Sequence, residues 1–132
     1  MTISTEHQSL LQAAHKAMQA SHCPYSKYPV GAAVIDSQGS IFSGCNVENS
    51  AFGSTICAEA AAIAQAVVQC APALTAIAVV TNTHGTPCGN CRQILAEQAP
   101  DCVVLLATPS TLDTPLIKSV AQLLPEAFDG LG

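Results

Sequence analysis

An α/β or α/β/α sandwich is the fold class that this sequence predicts, and three observations carry the prediction. Two apolar runs around a turn at residues 30–45 read as a β-hairpin. Leu74–Val80 and Val103–Ala107 are apolar runs rich in Val, Leu and Ile, and read as strands buried on both faces. Stretches with helical spacing stand before and between these strands, and alternation of strands with helices buries a sheet between helical layers. Residues 1–132 are expected to form a single domain, because domains typically run to about 100–200 residues.

Ser4 to Gln19 sets Leu10, Leu11, Ala14 and Met18 at helical spacing, with Ser4 or Thr5 as the cap, and this helix is expected to pack on the sheet. Cys23-Pro24-Tyr25-Ser26-Lys27-Tyr28-Pro29 follows, where two prolines stop the helix and force an extended loop. Its tyrosines either line a ligand or plug an edge of the core. Val30 to Ile35 and Ser40 to Cys45 are the hairpin strands, flanking Asp36-Ser37-Gln38-Gly39. Past the second strand, alternation puts Asn46 and Glu48 on one face. There they either grip paired hydroxyls, an amide that donates and accepts beside a carboxylate that accepts, or end the strand in solvent. Ser50 to Thr55 reads as a loop, and Cys57 to Cys70 as a helix whose only charged residue is Glu59, so that nearly every face can be buried. Thr81 to Thr86 is a polar loop, and Gly89 to Gln98 a further helix. The tail offers a short strand near Thr114 to Ile117 and a helical turn before Leu123-Leu124-Pro125-Glu126-Ala127-Phe128.

Hydrophobic residues make up 49% of the chain and charged ones 10%, which leaves the surface short of ionic groups and favours self-association. A net charge of -5 with four Lys and Arg argues against a nucleic-acid polymer as ligand, since phosphate backbones need clustered cations, and for a small molecule. Neither a basic-then-apolar leader nor a membrane-length apolar run is visible, so a soluble cytoplasmic protein is expected. Seven cysteines at irregular spacing cannot complete a disulfide framework within one chain.

The residues that carry chemistry are Cys57 with Glu59, and Pro87-Cys88-Gly89-Asn90-Cys91. Positions 55, 56, 62 and 63, the helical neighbours of Glu59, hold no Lys or Arg. Position 56 is Ile, which rules out a capping box, so Glu59 reads as a buried acid with a raised pKa. Both cysteine elements open a helix, where the dipole is expected to lower thiol pKa values. Alone, Cys-x-x-Cys fits a redox pair, half of a structural zinc knuckle or an accident of composition. A structural site needs four ligands, and His84 is the nearby candidate for a fourth, although loop histidines are commonly just solvated. Three thiolates beside a carboxylate that need not bind metal match a catalytic zinc, which keeps its fourth position for water. Glu59 would take the water's proton, pass it to a ring nitrogen and assist departure of ammonia. Cys23, Cys45, Cys70 and Cys102 are expected to be buried thiols.

The chain resembles the cytidine deaminases, specifically the small-subunit homotetrameric zinc type. The resemblance is carried, in family order, by residues 23–33, Gly44-Cys45-Asn46-Val47-Glu48-Asn49, Cys57-Ala58-Glu59, Pro87-Cys88-Gly89-Asn90-Cys91-Arg92-Gln93 and the 123–128 segment. It implies a three-layer α/β/α sandwich with a mixed central sheet of about five strands, and one Zn2+ per subunit on Cys57, Cys88 and Cys91 with Glu59 as proton shuttle. It further implies that Asn46 and Glu48 hold a ribose 3'-hydroxyl and that the backbone at Ala58 and Cys88 positions the base and leaving group. Tyr28 would stand beside the base, where the family usually has Phe, and Phe128 would reach the site of a neighbouring subunit. The implied reaction is deamination of cytidine and 2'-deoxycytidine to the uridines in pyrimidine salvage, with active sites at tetramer interfaces. One departure is Ala60, where the family usually has an Arg that offsets three thiolates, leaving Arg92 and the helix N-termini to supply that balance. The same absence is shared with blasticidin S deaminases, the second reading, and a zinc-stabilised domain without activity is the third.

Overall fold

The structure, a computed structural model, describes residues 3–130. Helix α1 (Thr5–Met18) starts at Ser4, whose hydroxyl accepts the His7 N–H at 3.1 Å, and buries Leu10, Leu11, Ala14 and Met18. Strands β1 (Gly31–Asp36) and β2 (Ile41–Cys45) form the expected hairpin. Its turn is fixed by Asp36, whose Oδ1 accepts the N–H groups of Gln38 and Ser40, both at 2.9 Å. A short 3-10 turn (Phe52–Ser54) lies in the segment expected to be plain loop, ahead of α2 (Ala58–Val68), β3 (Leu74–Val80), α3 (Gly89–Gln98) and β4 (Val103–Ala107). The edge strand β5 (Leu116–Ser119) begins two residues later than the sequence suggested, and α4 (Val120–Leu123) follows it, opened by a capping box between Ser119 and Gln122.

The sheet is mixed, in the order β2-β1-β3-β4-β5, with β3 and β4 parallel and the other pairs antiparallel. Strand alternation divides its side chains between two cores. Ala33, Ile35, Ala76, Ala78, Val80, Leu105 and Ala107 meet α1, while Ala32, Val34, Ile77, Val79, Val104 and Leu106 meet α2 and α3. Three layers result, and the two helices that open with cysteines lie on the same side of the sheet. Helix α2 is less buried than its composition predicts: Ala58, Glu59, Ala62, Ile63 and Ala66 face inward, whereas Val67 and Val68 are exposed. The spacing of those five residues is one helical stripe, so the opposite face stays outside whatever its composition.

Where α1 crosses β1 the two backbones touch. A β-carbon at Gly31 would overlap the carbonyl oxygen of Ala14 and come within 2.5 Å of the amide nitrogen of Met18. Backbone atoms on both sides cannot give way, so Gly31→Ala is expected to destabilise the protein by about 3 kcal/mol, at the upper end for overpacking. Urea unfolding checks this, and a midpoint within error of the wild type would contradict the close packing.

Candidate metal centre and active site

Two helix N-termini meet beside the same cavity. Cys57 caps α2 and Cys88 caps α3, both with extended backbone, so neither lies inside its helix, and Cys91 lies in the first turn of α3. The three Sγ atoms fall within 4.8 Å of one another, with Cys57 and Cys88 at 3.8 Å. Three convergent sulfur donors, with room on the open side, fit a zinc ion that keeps a further position for a non-protein ligand. His84 is not a member of this cluster; its Nε2 bonds the hydroxyl of Thr111 at 3.0 Å.

The thiols do not behave as the helix-dipole argument predicts. Burial, reinforced by the neighbouring thiols and Glu59, pushes Cys91 well above the usual thiol range, and burial likewise raises Cys57. Burial opposes ionisation of Cys88 too. There the N–H groups of Cys91 and Asn90 and the thiols of Cys91 and Cys57 outweigh it, and the pKa falls. Burial and crowding of three sulfurs thus hold two of the thiols protonated in the metal-free protein, and a bound cation would favour all three thiolates.

Glu59 is 5% exposed, and burial lifts its pKa above the carboxylate range, as its sequence context predicts. It lines a cavity of about 190 Å³ together with Tyr28, Asn46, Cys57, Ala58 and Cys88. Val30, Thr55, Val79, Thr81, Gly85 and Thr86 complete the wall. None of these six was singled out from the sequence as a site residue; the visible signal for the last three was the polar run between a buried strand and Pro87.

Asn46 and Glu48 line two different cavities, and both are already engaged. Asn46, 7% exposed, accepts the Val30 N–H at 2.9 Å and the Ser21 hydroxyl on Oδ1, and donates from Nδ2 to the Tyr28 carbonyl at 2.9 Å. Glu48 accepts the N–H groups of Tyr25 at 3.2 Å and Ser26 at 3.1 Å on one oxygen and the Ser26 hydroxyl on the other. The Ser26 hydroxyl, helped by these two N–H groups, holds the Glu48 carboxyl below its usual pKa. Glu48 lines a second cavity of about 320 Å³ with Tyr25, Ser26, Phe52 and Thr55, and Thr55 is common to both cavities. Tyr25 and Phe52 meet edge to face, 5.2 Å between ring centres.

Two further residues named from the sequence lie elsewhere in the fold. Phe128 is 78% exposed and lines a separate cavity with Gln93, Ile94, Glu97 and Gln98; Gln93 Nε2 donates to its carbonyl at 2.8 Å. Arg92 directs its guanidinium to the carbonyls of Pro87 and Leu123, each at 2.7 Å, and to the Thr86 hydroxyl at 2.9 Å. It thereby ties the turn before Cys88 to α4. Of the four cysteines expected to be buried, only Cys102 is. Cys23 and Cys45 are half-buried, and Cys70 is exposed at the left-handed residue just beyond α2, with φ 56°.

Comparison with known proteins agrees with this geometry. Residues 4–107 match the model of the cytidine and deoxycytidylate deaminase zinc-binding region. A cytidine deaminase of Sporosarcina psychrophila is 42% identical over 123 residues, 92% of this chain and 90% of that protein. The crystal structure of a cytidine deaminase from Burkholderia pseudomallei superposes with a TM-score of 0.86 at 39% identity, covering 92% of this chain and 98% of that one. A blasticidin-S deaminase of Bacillus cereus is 32% identical over 111 residues, 76% of each protein.

Proposed function

The chain belongs to the cytidine and deoxycytidylate deaminase family, and from that premise we propose that it is a zinc-dependent hydrolase converting cytidine and 2'-deoxycytidine to uridine and 2'-deoxyuridine with release of ammonia. The observation that carries the reading is that Cys57 and Cys88, two of the three clustered thiols, line the same cavity as the buried carboxyl of Glu59, with Cys91 buried behind them. One Zn2+ per subunit, held by those thiolates, supplies a Lewis acid that makes water acidic near neutral pH.

The remaining work belongs to the chain. Glu59 accepts a proton from the attacking water and delivers it to the ring nitrogen next to the amino-bearing carbon. It then takes the remaining proton of the hydroxyl now on that carbon and hands it to the amino group; the C–N bond breaks as the C–O bond becomes a carbonyl, so that water plus cytidine balances uridine plus ammonia. A carboxyl whose pKa burial has raised is suited to hold that proton between the steps. The free N–H at Ala58, in the first turn of α2, and the backbone at Cys88 orient the base and its leaving group. Tyr28 flanks the base. Glu48 accepts a sugar hydroxyl at the adjoining cavity, while Asn46 keeps the 21–30 segment in place for it. Arg92 and the two helix N-termini offset part of the thiolate charge, in the absence of an Arg at Ala60.

The whole chain acts as one domain, in the cytoplasm, on free nucleosides rather than on a nucleic-acid polymer. A homotetramer with sites at subunit interfaces is supported by the exposed Tyr25 and Phe52 of the second cavity, by the exposed Val47 and Ile56, and by the outward Phe128. No helix among the described residues is long and apolar enough to cross a membrane. A blasticidin S substrate has less support, given the lower identity and coverage of that relative. The test is the ultraviolet absorbance change of zinc-loaded protein with cytidine, deoxycytidine, blasticidin S and adenosine. Conversion of the first two is expected, and zinc-loaded protein that leaves both unchanged would overturn the reading.

A further inference from the structure

The cavity beside the three thiols has two facing walls from distant parts of the chain. Tyr28 supplies one, from the loop ahead of β1. The Thr81–Thr86 loop, which leaves β3 and runs directly into Cys88, supplies the other. The phenolic hydroxyl of Tyr28 bonds the hydroxyl of Thr83 at 2.7 Å. It also lies against the backbone of Gly85, where a β-carbon would come within 2.5 Å of the phenolic oxygen. Tyr28 itself is held from behind, its N–H donating to Ser26 Oγ at 3.1 Å and its carbonyl accepting from Asn46 at 2.9 Å. The other bonds of the facing loop lie on its own side. Thr81 Oγ1 accepts the N–H groups of Thr83 at 3.2 Å and Gly85 at 2.8 Å, His84 bonds Thr111, and Thr86 accepts from Arg92.

We infer that the Tyr28–Thr83 hydroxyl pair is a latch that joins the two walls and fixes the 81–86 loop as a preformed face of the cavity, with Thr83 as a positioning residue for substrate binding. The inference deepens the proposed function and rests on it for the substrate, a planar pyrimidine base on a sugar. A wall already fixed in the free protein spares the base the entropic cost of ordering it. The phenolic oxygen reaches Thr83 only because position 85 carries no side chain.

Tyr28→Phe keeps the ring and removes the bond from one side, and Thr83→Val removes it from the other. In each variant, amide hydrogen exchange over residues 82–86 is expected to accelerate roughly three- to tenfold, the worth of one neutral hydrogen bond. The KM for cytidine should rise by a similar factor while kcat stays within about twofold, since ground state and transition state meet the same wall. The double variant should be no worse than either single one, because one bond is lost only once. Unchanged exchange in both single variants, or a double variant whose effect is the product of the two, would overturn the latch. Exchange is read on the protein alone, so it decides the latch independently of turnover. A wild type that converts no pyrimidine nucleoside would instead strike at the proposed function.

Discussion

Replacing Glu59 by Gln is expected to lower kcat for cytidine by roughly a hundred- to ten-thousandfold, the span that a positioned general acid–base group supplies, with zinc content and the far-ultraviolet spectrum unchanged. The carboxyl is almost wholly buried, in the cavity that the ligand thiols Cys57 and Cys88 also line, and burial raises its pKa. Gln has the same shape and can hydrogen-bond but cannot carry a proton between water, ring and leaving group. Because proton transfer occurs in the transition state, KM should move far less than kcat. Stability should hold or rise, since the variant no longer buries an ionisable acid in apolar surroundings. Steady-state kinetics and a thermal melt on the same preparation check both halves. A Glu59→Gln enzyme within tenfold of the wild type would mean that another group moves the protons.

Removing the zinc is the second large effect. Chelation at neutral pH should abolish turnover and lower Tm by roughly 10 °C or more, because a ligand held at a thousandfold excess over its Kd stabilises the fold by about 4 kcal/mol. Cys91→Ala should have the same consequences without a chelator, since it deletes a buried donor from the three-sulfur cluster. The direction with pH follows from the free-thiol state. Cys57 and Cys91 have raised pKa values, so both are neutral near pH 7 in the metal-free protein, and zinc must displace their protons. Protons and zinc compete, hence zinc retention falls as pH falls. Metal analysis after dialysis across a pH series reads this directly, and full zinc stoichiometry in Cys91→Ala would place the metal elsewhere.

The sequence exposes those parts of the molecule that depend on short-range pattern. β3, β4 and α3 come out with the expected residue ranges, because continuous apolar runs mark the two strands and Pro87 precedes the helix. The burial of Glu59 is legible for a similar reason, as no cation stands at helical spacing around it. What stays hidden depends on partners far along the chain. Nothing near Asn46 announces that its amide bonds Ser21, Tyr28 and Val30, nor does anything near Arg92 point to the carbonyl of Leu123. The thiols are the instructive failure. A helix N-terminus is visible in sequence, but burial of the thiols is a tertiary fact, and it is burial, with the crowding of three sulfurs and a carboxyl behind it, that raises Cys57 and Cys91. Cys70 fails differently: its apolar context suggested burial, yet the chain turns there through a left-handed residue that faces solvent.

The parallel pairing of β3 with β4 also ties the sheet to the sulfur cluster. Antiparallel neighbours such as β1 and β2 can zip through a tight turn as soon as they leave the ribosome, whereas parallel strands need a crossover segment between them. Here that crossover is α3, which carries Cys91, with Cys88 capping its first turn. That helix, which completes the sulfur cluster, therefore also bridges the two parallel strands, whose paired residues Ala76 and Val103 lie nearer in the chain than the antiparallel partners Gly31 and Val80 of β1 and β3. Zinc held by Cys57, Cys88 and Cys91 would thus pin the crossover to the start of α2. Loss of that pin is expected to loosen the crossover, so amide exchange in α3 should quicken when zinc is removed.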